Sequence, residues 1–427
     1  MVEANAAPIP DPHPNHNRKP QAPGRTVRPA ALGFVFATAL MDVIALGIII
    51  PVLPNLIKQM AGESTAAALH YVLIFSTTWA VMQFFASPVI GSLSDRFGRR
   101  PVLLVSIFGL GCDYIVMAVA PNLAWLFFGR LVSGITSASI ATASAYIADI
   151  SPPEKRAQNF GVIGAAFGIG LVLGPLVGGL LGGINPRVPF WGAAALALIN
   201  WCFGLIVLPE SLPKNRRSDF SWKKANPIGS LRLLAAHPGL LGMAAVFFLF
   251  MMSYQALEQI FVLYTGYRFH WGIRDVGLFL GGTGIAQILV QTTLVRPVVK
   301  KAGERGAMLI GLTCGALAFA FYGLGSTSFL VCCGLPLFAL MGLVQPANQA
   351  LMSRRVPPTE QGRLQGATSG LMSLTALIGP SLYTTVFAWA ITDGANLHLP
   401  GLGVLVASGF VLLSLALAAR YARLPPH

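Results

Sequence analysis

Four ionisable residues stand inside long apolar runs of this sequence: Asp42, Asp113, Arg130 and Glu258. If those runs cross a bilayer, a charge near its centre costs roughly 2.5–3.5 kcal/mol, so each side chain should face a cavity, be paired or be protonated. One interpretation is a structural pair, for example Arg130 with Asp113. The other is that Arg130 lies beside Asp42 or Asp113 and adjusts proton affinity there, with Glu258 as a second cavity acid. No histidine lies in the middle of an apolar run, so a proton relay would have to use carboxylates.

Amide side chains in the same runs form a second set of residues with binding chemistry. A single amide in a membrane helix usually bonds to a neighbouring helix. As a set, these amides could hydrogen-bond an oxygen-rich amphiphile, which favours an organic solute over a bare ion. The candidate substrate-binding residues are Gln83, Gln255, Gln287, Gln291, Asn348 and Gln349, with Asn200, Gln259 and Gln345 as further polar groups and Phe85, Phe247, Tyr254 and Trp389 as apolar surfaces.

The segment GSLSDRFGRRPVLL, residues 91–104, concentrates charge in a short hydrophilic break. Its glycines permit close turns, and its acid stands among three arginines. It is either a plain basic loop or a cluster that latches one helix pair to another and breaks when the protein changes state. The candidate gating residues here are Gly91, Asp95, Arg96, Gly98, Arg99 and Arg100, with Asp149 at the end of the fourth run as an additional acid.

The fifth run contains GLVLGPLVGGLLGG, residues 170–183. Pro175 has no amide hydrogen, so the carbonyl of Leu171 loses its helical partner and the helix should bend. The glycines allow a neighbouring helix to approach closely. The motif serves packing alone, or it also governs gating; the residues concerned are Gly170, Gly174, Pro175, Gly178 and Gly179.

Membrane helices are the elements that must hold these residues. The chain has 427 residues, of which 55% are hydrophobic and 10% charged, whereas soluble domains carry about 25% charged residues. An ordinary cytosolic enzyme is therefore excluded. A span needs about 20 apolar residues, and we predict an all-α membrane protein with spans near 31–57, 69–92, 101–120, 123–149, 160–183, 188–208, 239–265, 275–298, 306–325, 328–351, 364–389 and 401–420.

Basic residues predict the orientation of these twelve spans. With the N-terminus in the cytosol, 24 of the 29 Lys and Arg residues fall in cytosolic segments and 4 in outer segments, with Arg130 left within a span. Cytosolic segments of membrane proteins carry such an excess. We therefore expect both termini in the cytosol and a cell-membrane location, specifically a bacterial inner membrane.

The twelve spans divide into two halves that repeat weakly. Gly98 corresponds to Gly303 and Pro175 to Pro380, both at an offset of 205. We expect two pseudo-symmetric six-helix bundles around a central cavity, as in many secondary transporters. The predicted division is a disordered cytosolic tail (1–30), an N-terminal bundle (31–208), a cytosolic linker (209–238), a C-terminal bundle (239–420) and a second cytosolic tail (421–427).

Several of these segments resemble the signatures of drug–proton antiporters in the major facilitator superfamily. They are GSLSDRFGRRPVLL, the Arg130 stretch LFFGRLVSGITSASIATASAYIADI, and GLVLGPLVGG. With MDVIALGIIIPVLPNL at residues 41–56, the chain is most similar to the tetracycline efflux group, over about residues 32–420. The resemblance implies the major facilitator fold, alternating access, and efflux of an amphiphilic organic compound, tetracycline or a related drug, in exchange for protons.

The chain departs from the tetracycline group in its second half. That group has a histidine in the eighth span and an acid in the ninth, where this sequence has Gln287 and Gly315. Glu258 lies in the seventh span, where the group has no acid. The departures put tetracycline itself in doubt as the substrate, and proton-coupled export or uptake of another small metabolite is the alternative.

The sequence lacks the motifs that are typical of other functional classes. The sequence has no HExxH, no GxxxxGK[ST] and no CxxC pair, so a membrane enzyme, an ATP-driven pump and a zinc site are not indicated. No cofactor is expected beyond the proton gradient, although a tetracycline substrate would bring its own divalent cation. The expected partners are a drug-like small molecule, protons and the lipid bilayer, without nucleic acid, and we expect a monomer.

Overall fold

The computed structural model describes residues 29–62, 64–136, 139–150, 156–217, 234, 239–357 and 360–422. Over these ranges the chain is helical and contains no β-strand. Such a structure suits the composition, because a helix satisfies its own backbone hydrogen bonds where no water is present. The two predicted tails, apart from residues 29–30 and 421–422, and most of the predicted linker lie outside the described residues.

Over the residues that the structure describes, eight helices form the first half. The first span comprises two of them, interrupted at residues 50–52 around Pro51, which has no amide hydrogen to donate. The helices are α1 (Pro29–Ile49), α2 (Leu53–Met60), α3 (Thr65–Phe97), α4 (Arg99–Val119), α5 (Leu123–Thr136), α6 (Ser139–Ile150), α7 (Arg156–Gly182) and α8 (Val188–Val207), followed by a 3-10 turn at Lys214–Arg216.

The second half is built in the same order. Its first span is again divided, here at Ile260, whose φ of −120° leaves the helical region. The helices are α9 (Leu240–Gln259), α10 (Phe261–Phe269), α11 (Ile273–Leu289), a π segment (Val290–Leu294), α12 (Val295–Leu324), α13 (Ser328–Leu340), a 3-10 turn (Met341–Leu343), α14 (Val344–Ser353), α15 (Gln361–Ile391), a 3-10 turn (Ala395–Leu397) and α16 (Leu402–Tyr421).

These helices account for the twelve predicted spans. Among the described residues, nine helices are long and apolar enough to cross a membrane. One of them, Ile273–Leu324, has 52 residues but is broken at Gly303, so it supplies two crossings. The shorter apolar helices Leu123–Thr136 and Gly168–Gly182 lie at the fourth and fifth predicted spans. The all-α membrane fold with two six-helix bundles is confirmed.

The predicted repeat is visible in the backbone. Gly98 separates α3 from α4 with φ +105°, and Gly303 breaks the corresponding helix of the second half with φ +71°. Pro175 lies inside α7 and Pro380 inside α15. Both pairs stand at the offset found in the sequence, so the halves share local geometry at these positions.

Where the structure describes both halves, the main contacts between them are those of α7 against α11 and of α3 against α15. The short helices α2 and α10 also touch each other at the end of the molecule away from Gly98. On the outer surface, apolar side chains are exposed, for example Val105, Ile206 and Phe329 at 71%, 85% and 74%. A surface of this kind matches the hydrocarbon of a bilayer.

Candidate functional site

Two adjoining cavities lie between the halves, with volumes of about 220 and about 540 Å³. They share four lining residues: Trp79 of α3, Gln255 and Glu258 of α9, and Ala376 of α15. The larger cavity extends along α3 and α15 towards the Gly98 end, and the smaller one extends towards α2. Each half therefore contributes to the walls of this pair of cavities.

Glu258 and Arg130 are the charged side chains among the described residues that line these cavities. Glu258 projects from the last turn of α9 and is exposed to the cavity. Arg130 projects from α5 in the opposite half, and its guanidinium lies 5.3 Å from the centroid of the Trp79 ring. The cavity thus has a carboxylate from one half and a cation from the other.

Asp113 lies behind the cavity wall. Its side chain is buried, with 1% exposure, and neither carboxylate oxygen makes a hydrogen bond of good geometry. The Arg130 guanidinium and the Ser133 hydroxyl are near enough to interact with it. The predicted neighbourhood of Arg130 and Asp113 is present, but the two side chains are not joined by a direct hydrogen bond.

Asp42 belongs to the same cluster. It is half-buried in α1 and accepts a hydrogen bond of 3.0 Å from Nδ2 of Asn200 in α8. Asp42, Asp113 and Arg130 all lie within electrostatic reach of Tyr114, which lines the smaller cavity. Three of the four predicted ionisable residues are therefore together in the first half, and the fourth, Glu258, stands across the cavity.

The predicted substrate-binding amides occupy two different environments. Gln83 and Gln255 line the larger cavity, and Nε2 of Gln287 donates a 3.2 Å hydrogen bond to the Tyr254 hydroxyl, which also belongs to the lining. The other amides lie outside the lining of both cavities, namely Gln291, which is exposed in the π segment, the buried Asn348, and Gln349.

The arginine-rich segment after α3 forms a network around Arg99. Its guanidinium contacts Oδ1 of Asp95 at 2.6 Å, Oδ2 of Asp149 at 3.0 Å and the Ser94 hydroxyl at 2.6 Å. Asp149 thus contacts Arg99 as an acid of this network, and its role in gating stays a prediction. Arg100 donates to the Leu205 carbonyl at 2.8 Å, whereas Arg96 is exposed over the Phe97 ring.

Glu210 is a member of this network that the sequence analysis missed. Its Oε1 accepts hydrogen bonds from the backbone N–H of Arg99 at 2.9 Å and of Leu212 at 3.0 Å. A side chain at Gly98 would collide with this carboxylate, which explains the glycine beyond its positive φ. The available signal was an acid directly after Pro209, where the sixth apolar run ends.

The glycines of α7 contact two different helices. Gly170, Gly174 and Gly178 face α1, and a Cβ added at Gly174 would lie 2.6 Å from Cα of Gly47. Gly179 faces the other half instead, where a Cβ would lie 2.5 Å from Cα of Gly277 in α11. The helix that contains Pro175 therefore joins the halves through a close backbone contact, which we call the Gly179–Gly277 seam.

The Met341 side chain fills the space at which the tetracycline group has its ninth-span acid. Gly315 is buried in α12, and a Cβ there would lie 2.7 Å from Sδ of Met341. Together with Gln287 bonded to Tyr254, this leaves Glu258 as the acid that the second half presents to the cavity, among the described lining residues.

Comparison with known proteins decides the family. The model of the Major Facilitator Superfamily matches residues 35–380. The chain belongs to this superfamily. It is 38% identical to the class C tetracycline resistance protein of Escherichia coli over 358 residues, covering 84% of this chain and 90% of that protein. It is 36% identical to the class G protein of Vibrio anguillarum over 373 residues, covering 86% and 94%.

Solved structures of other transporters share the fold. The human organic anion transporter MFSD10 has a TM-score of 0.68 at 24% identity, covering 93% of this chain and 100% of that one. The nucleoside transporter NupG has a TM-score of 0.71 at 14% identity, covering 92% and 100%. This superfamily member is a multi-pass membrane transporter and not an enzyme, and its resemblance to the tetracycline efflux group is confirmed.

Proposed function

We propose that this transporter exports an amphiphilic drug-like compound in exchange for protons by alternating access. The observation that carries the proposal is the cavity between the halves, to which the first half contributes Arg130 and the second Glu258. Its walls are largely apolar, while amides and two opposite charges supply polar contacts. The relatives of this transporter include tetracycline resistance proteins, so tetracyclines are the first compounds to test.

Alternating access requires a contact that closes each end in turn. In the proposed cycle, the Gly179–Gly277 seam closes the end near α2 and α10 and opens when cargo leaves. The Arg99 network lies at the other end, and all its hydrogen bonds described above are with the first half and the residues just after α8. Because these hydrogen bonds do not tie the first half to the second, the arrangement suits a state in which the Gly98 end is open. By the excess of basic residues, this end and both termini would face the cytosol.

Proton exchange would use the carboxylates near the cavity. Asp113 stands near Arg130, and Asp42 lies within electrostatic reach of Tyr114 in the same cluster. Because arginine keeps its positive charge, it can tune the proton affinity of these acids. Glu258 is open to the cavity itself. We propose that these three acids carry the exchanged protons, that the transporter works as a monomer, and that it needs no bound cofactor.

The proposal is tested in proteoliposomes that contain the purified protein. An inside-acid pH difference should drive uptake of a labelled tetracycline, and a protonophore should abolish it. The Glu258→Gln variant should lose the pH dependence of coupled uptake, whereas Asp393→Asn, which removes an exposed acid beyond the cavity lining, should keep it. Failure of a broad panel of lipophilic compounds to move would refute the proposal.

Transport of another small metabolite is the second candidate function. It is favoured by Gln287 and by the filled space at Gly315, where the tetracycline group has a histidine and an acid. Expression in a bacterium that lacks its own exporters separates the two. Protection against tetracyclines that disappears with an uncoupler supports drug export, whereas protection against none of a drug panel, with uptake or export of a metabolite, supports the alternative.

A further inference from the structure

The Glu258 carboxylate lies in the lining of both cavities. Among the described residues, no side chain or backbone group forms a hydrogen bond or an ion pair with its carboxylate. The nearby amides instead bond to each other, with Nε2 of Gln259 donating to Oε1 of Gln255 at 3.3 Å. The Glu258 carboxylate is thus presented to whatever occupies the cavity.

The surroundings of Glu258 favour an organic cation over a metal ion. A hard cation needs several oxygen ligands, and among the described residues no group of three or more His, Cys, Asp or Glu side chains is placed to hold one. The wall beside Glu258 contains apolar groups such as Ile49, Phe75 and the Trp79 ring. An ammonium group attached to an apolar body satisfies both features at once.

The opposite half supplies the complementary charge. Arg130 rests on Trp79 and lines the same smaller cavity as Glu258. A ligand with oxygen acceptors at one end and an amine at the other would pair with both, because a hydrogen bond between charged groups is roughly twice as strong as a neutral one. A neutral ligand would leave the carboxylate desolvated and unpaired, which is costly.

We propose that the compound bound in this cavity carries a protonated amine that pairs with Glu258, while its oxygen acceptors face Arg130. The inference rests on the proposed export function and names the class of its cargo: amine-bearing amphiphiles. Glu258 is then the residue that selects for the amine, in a position where the tetracycline group has no acid.

Equilibrium binding to the purified protein tests this with two matched probes. They are labelled tetracycline, which carries a dimethylamino group, and the same ring system lacking that group. The wild-type protein and the control Asp393→Asn should prefer the amine by about tenfold or more, the value of one charge-assisted contact. Glu258→Gln should lose that preference through weaker binding of the amine, with binding of the other probe changed less than about twofold.

Moving the carboxylate separates this role from a loss of folding. Gln255 lies one turn earlier on α9 and lines the same cavities, so the double variant Gln255→Glu with Glu258→Gln should regain part of the preference. Three outcomes would overturn the amine site. Glu258→Gln could weaken the binding of both probes equally, or leave the preference for the amine undiminished. The wild-type protein could also show no saturable binding of either probe. Amine-selective binding without proton-driven movement would instead retain the amine site and refute the proposed export.

Discussion

Replacing Gly98 by alanine tests whether the Arg99 network depends on the close approach of Glu210. Two costs are expected. The backbone at Gly98 has φ +105° and ψ 157°, a region that other residues adopt at a cost of about 1–3 kcal/mol. The added methyl group would also overlap the Glu210 carboxylate and lie 2.8 Å from Nη2 of Arg217.

The cost of the clash with Glu210 can be separated from the backbone cost by using Gly303, the counterpart of Gly98 in the second half. Gly303 has φ +71° and ψ 172°, but no atom lies within 4 Å of a Cβ added there. Gly303→Ala therefore carries the backbone cost alone. In Gly98→Ala, Glu210 must also turn away from the backbone N–H groups of Arg99 and Leu212, and a hydrogen bond to a charged group contributes about 1.5–3 kcal/mol. We expect Gly98→Ala to be at least about 2 kcal/mol more destabilising than Gly303→Ala.

The measurement is thermal unfolding in detergent of both variants and of Gly91→Ala, at which a Cβ meets no atom within 4 Å. Gly91→Ala should melt near the wild type, Gly303→Ala lower and Gly98→Ala lowest. In a Glu210→Ala background, Gly98→Ala should cost no more than Gly303→Ala, because the clash with the carboxylate is gone and the Arg217 guanidinium, no longer paired with Glu210, can move away from the methyl group. Equal melting of the two glycine variants, or an unchanged cost without Glu210, would refute the reasoning.

Two further substitutions test the contacts at the ends of the cavity. Gly277→Val should hold the Gly179–Gly277 seam apart and abolish transport, while binding of the substrate persists. The control Gly282→Val should transport nearly normally, because a Cβ at Gly282 meets only Leu335, at 3.5 Å. Similar transport rates in the two variants would contradict the role of the seam. Arg99→Lys should lower the maximal transport rate several-fold, since a lysine cannot reach both carboxylates as the guanidinium fork does. The exposed Arg96→Lys should change it little, and equal loss in the two variants would show that only net charge matters.

The span pattern was predictable because long apolar runs separated by charged breaks leave few alternatives to membrane helices. The chemistry near Arg130 was also accessible, since an ionised group within such a run must find a cavity or a partner. Its neighbours Asp42 and Asp113 lie on other helices, and the sequence identified them through the same argument.

The orientation of the amides could not be predicted. In a helix surrounded by lipid and by other helices, both faces are apolar, so the pattern does not distinguish the face towards the cavity. Gln255 and Asn348 illustrate this, because the first lines the cavity and the second is buried beside Met352. Glu210 was missed for a different reason: its partner is a backbone N–H group distant in sequence, which residue types do not reveal.

The interruption of the seventh span at Ile260 has a consequence for the order of events during transport. The segment beyond it, α10, has nine residues and touches α2 of the other half. A helix this short can pivot at a lower cost in free energy than a whole bundle, so the passage near α2 can be shut before the bundles reorient. Since Glu258 is two positions from the pivot, cargo that leaves it through this passage would release the short segment directly, and unloading would time the closure.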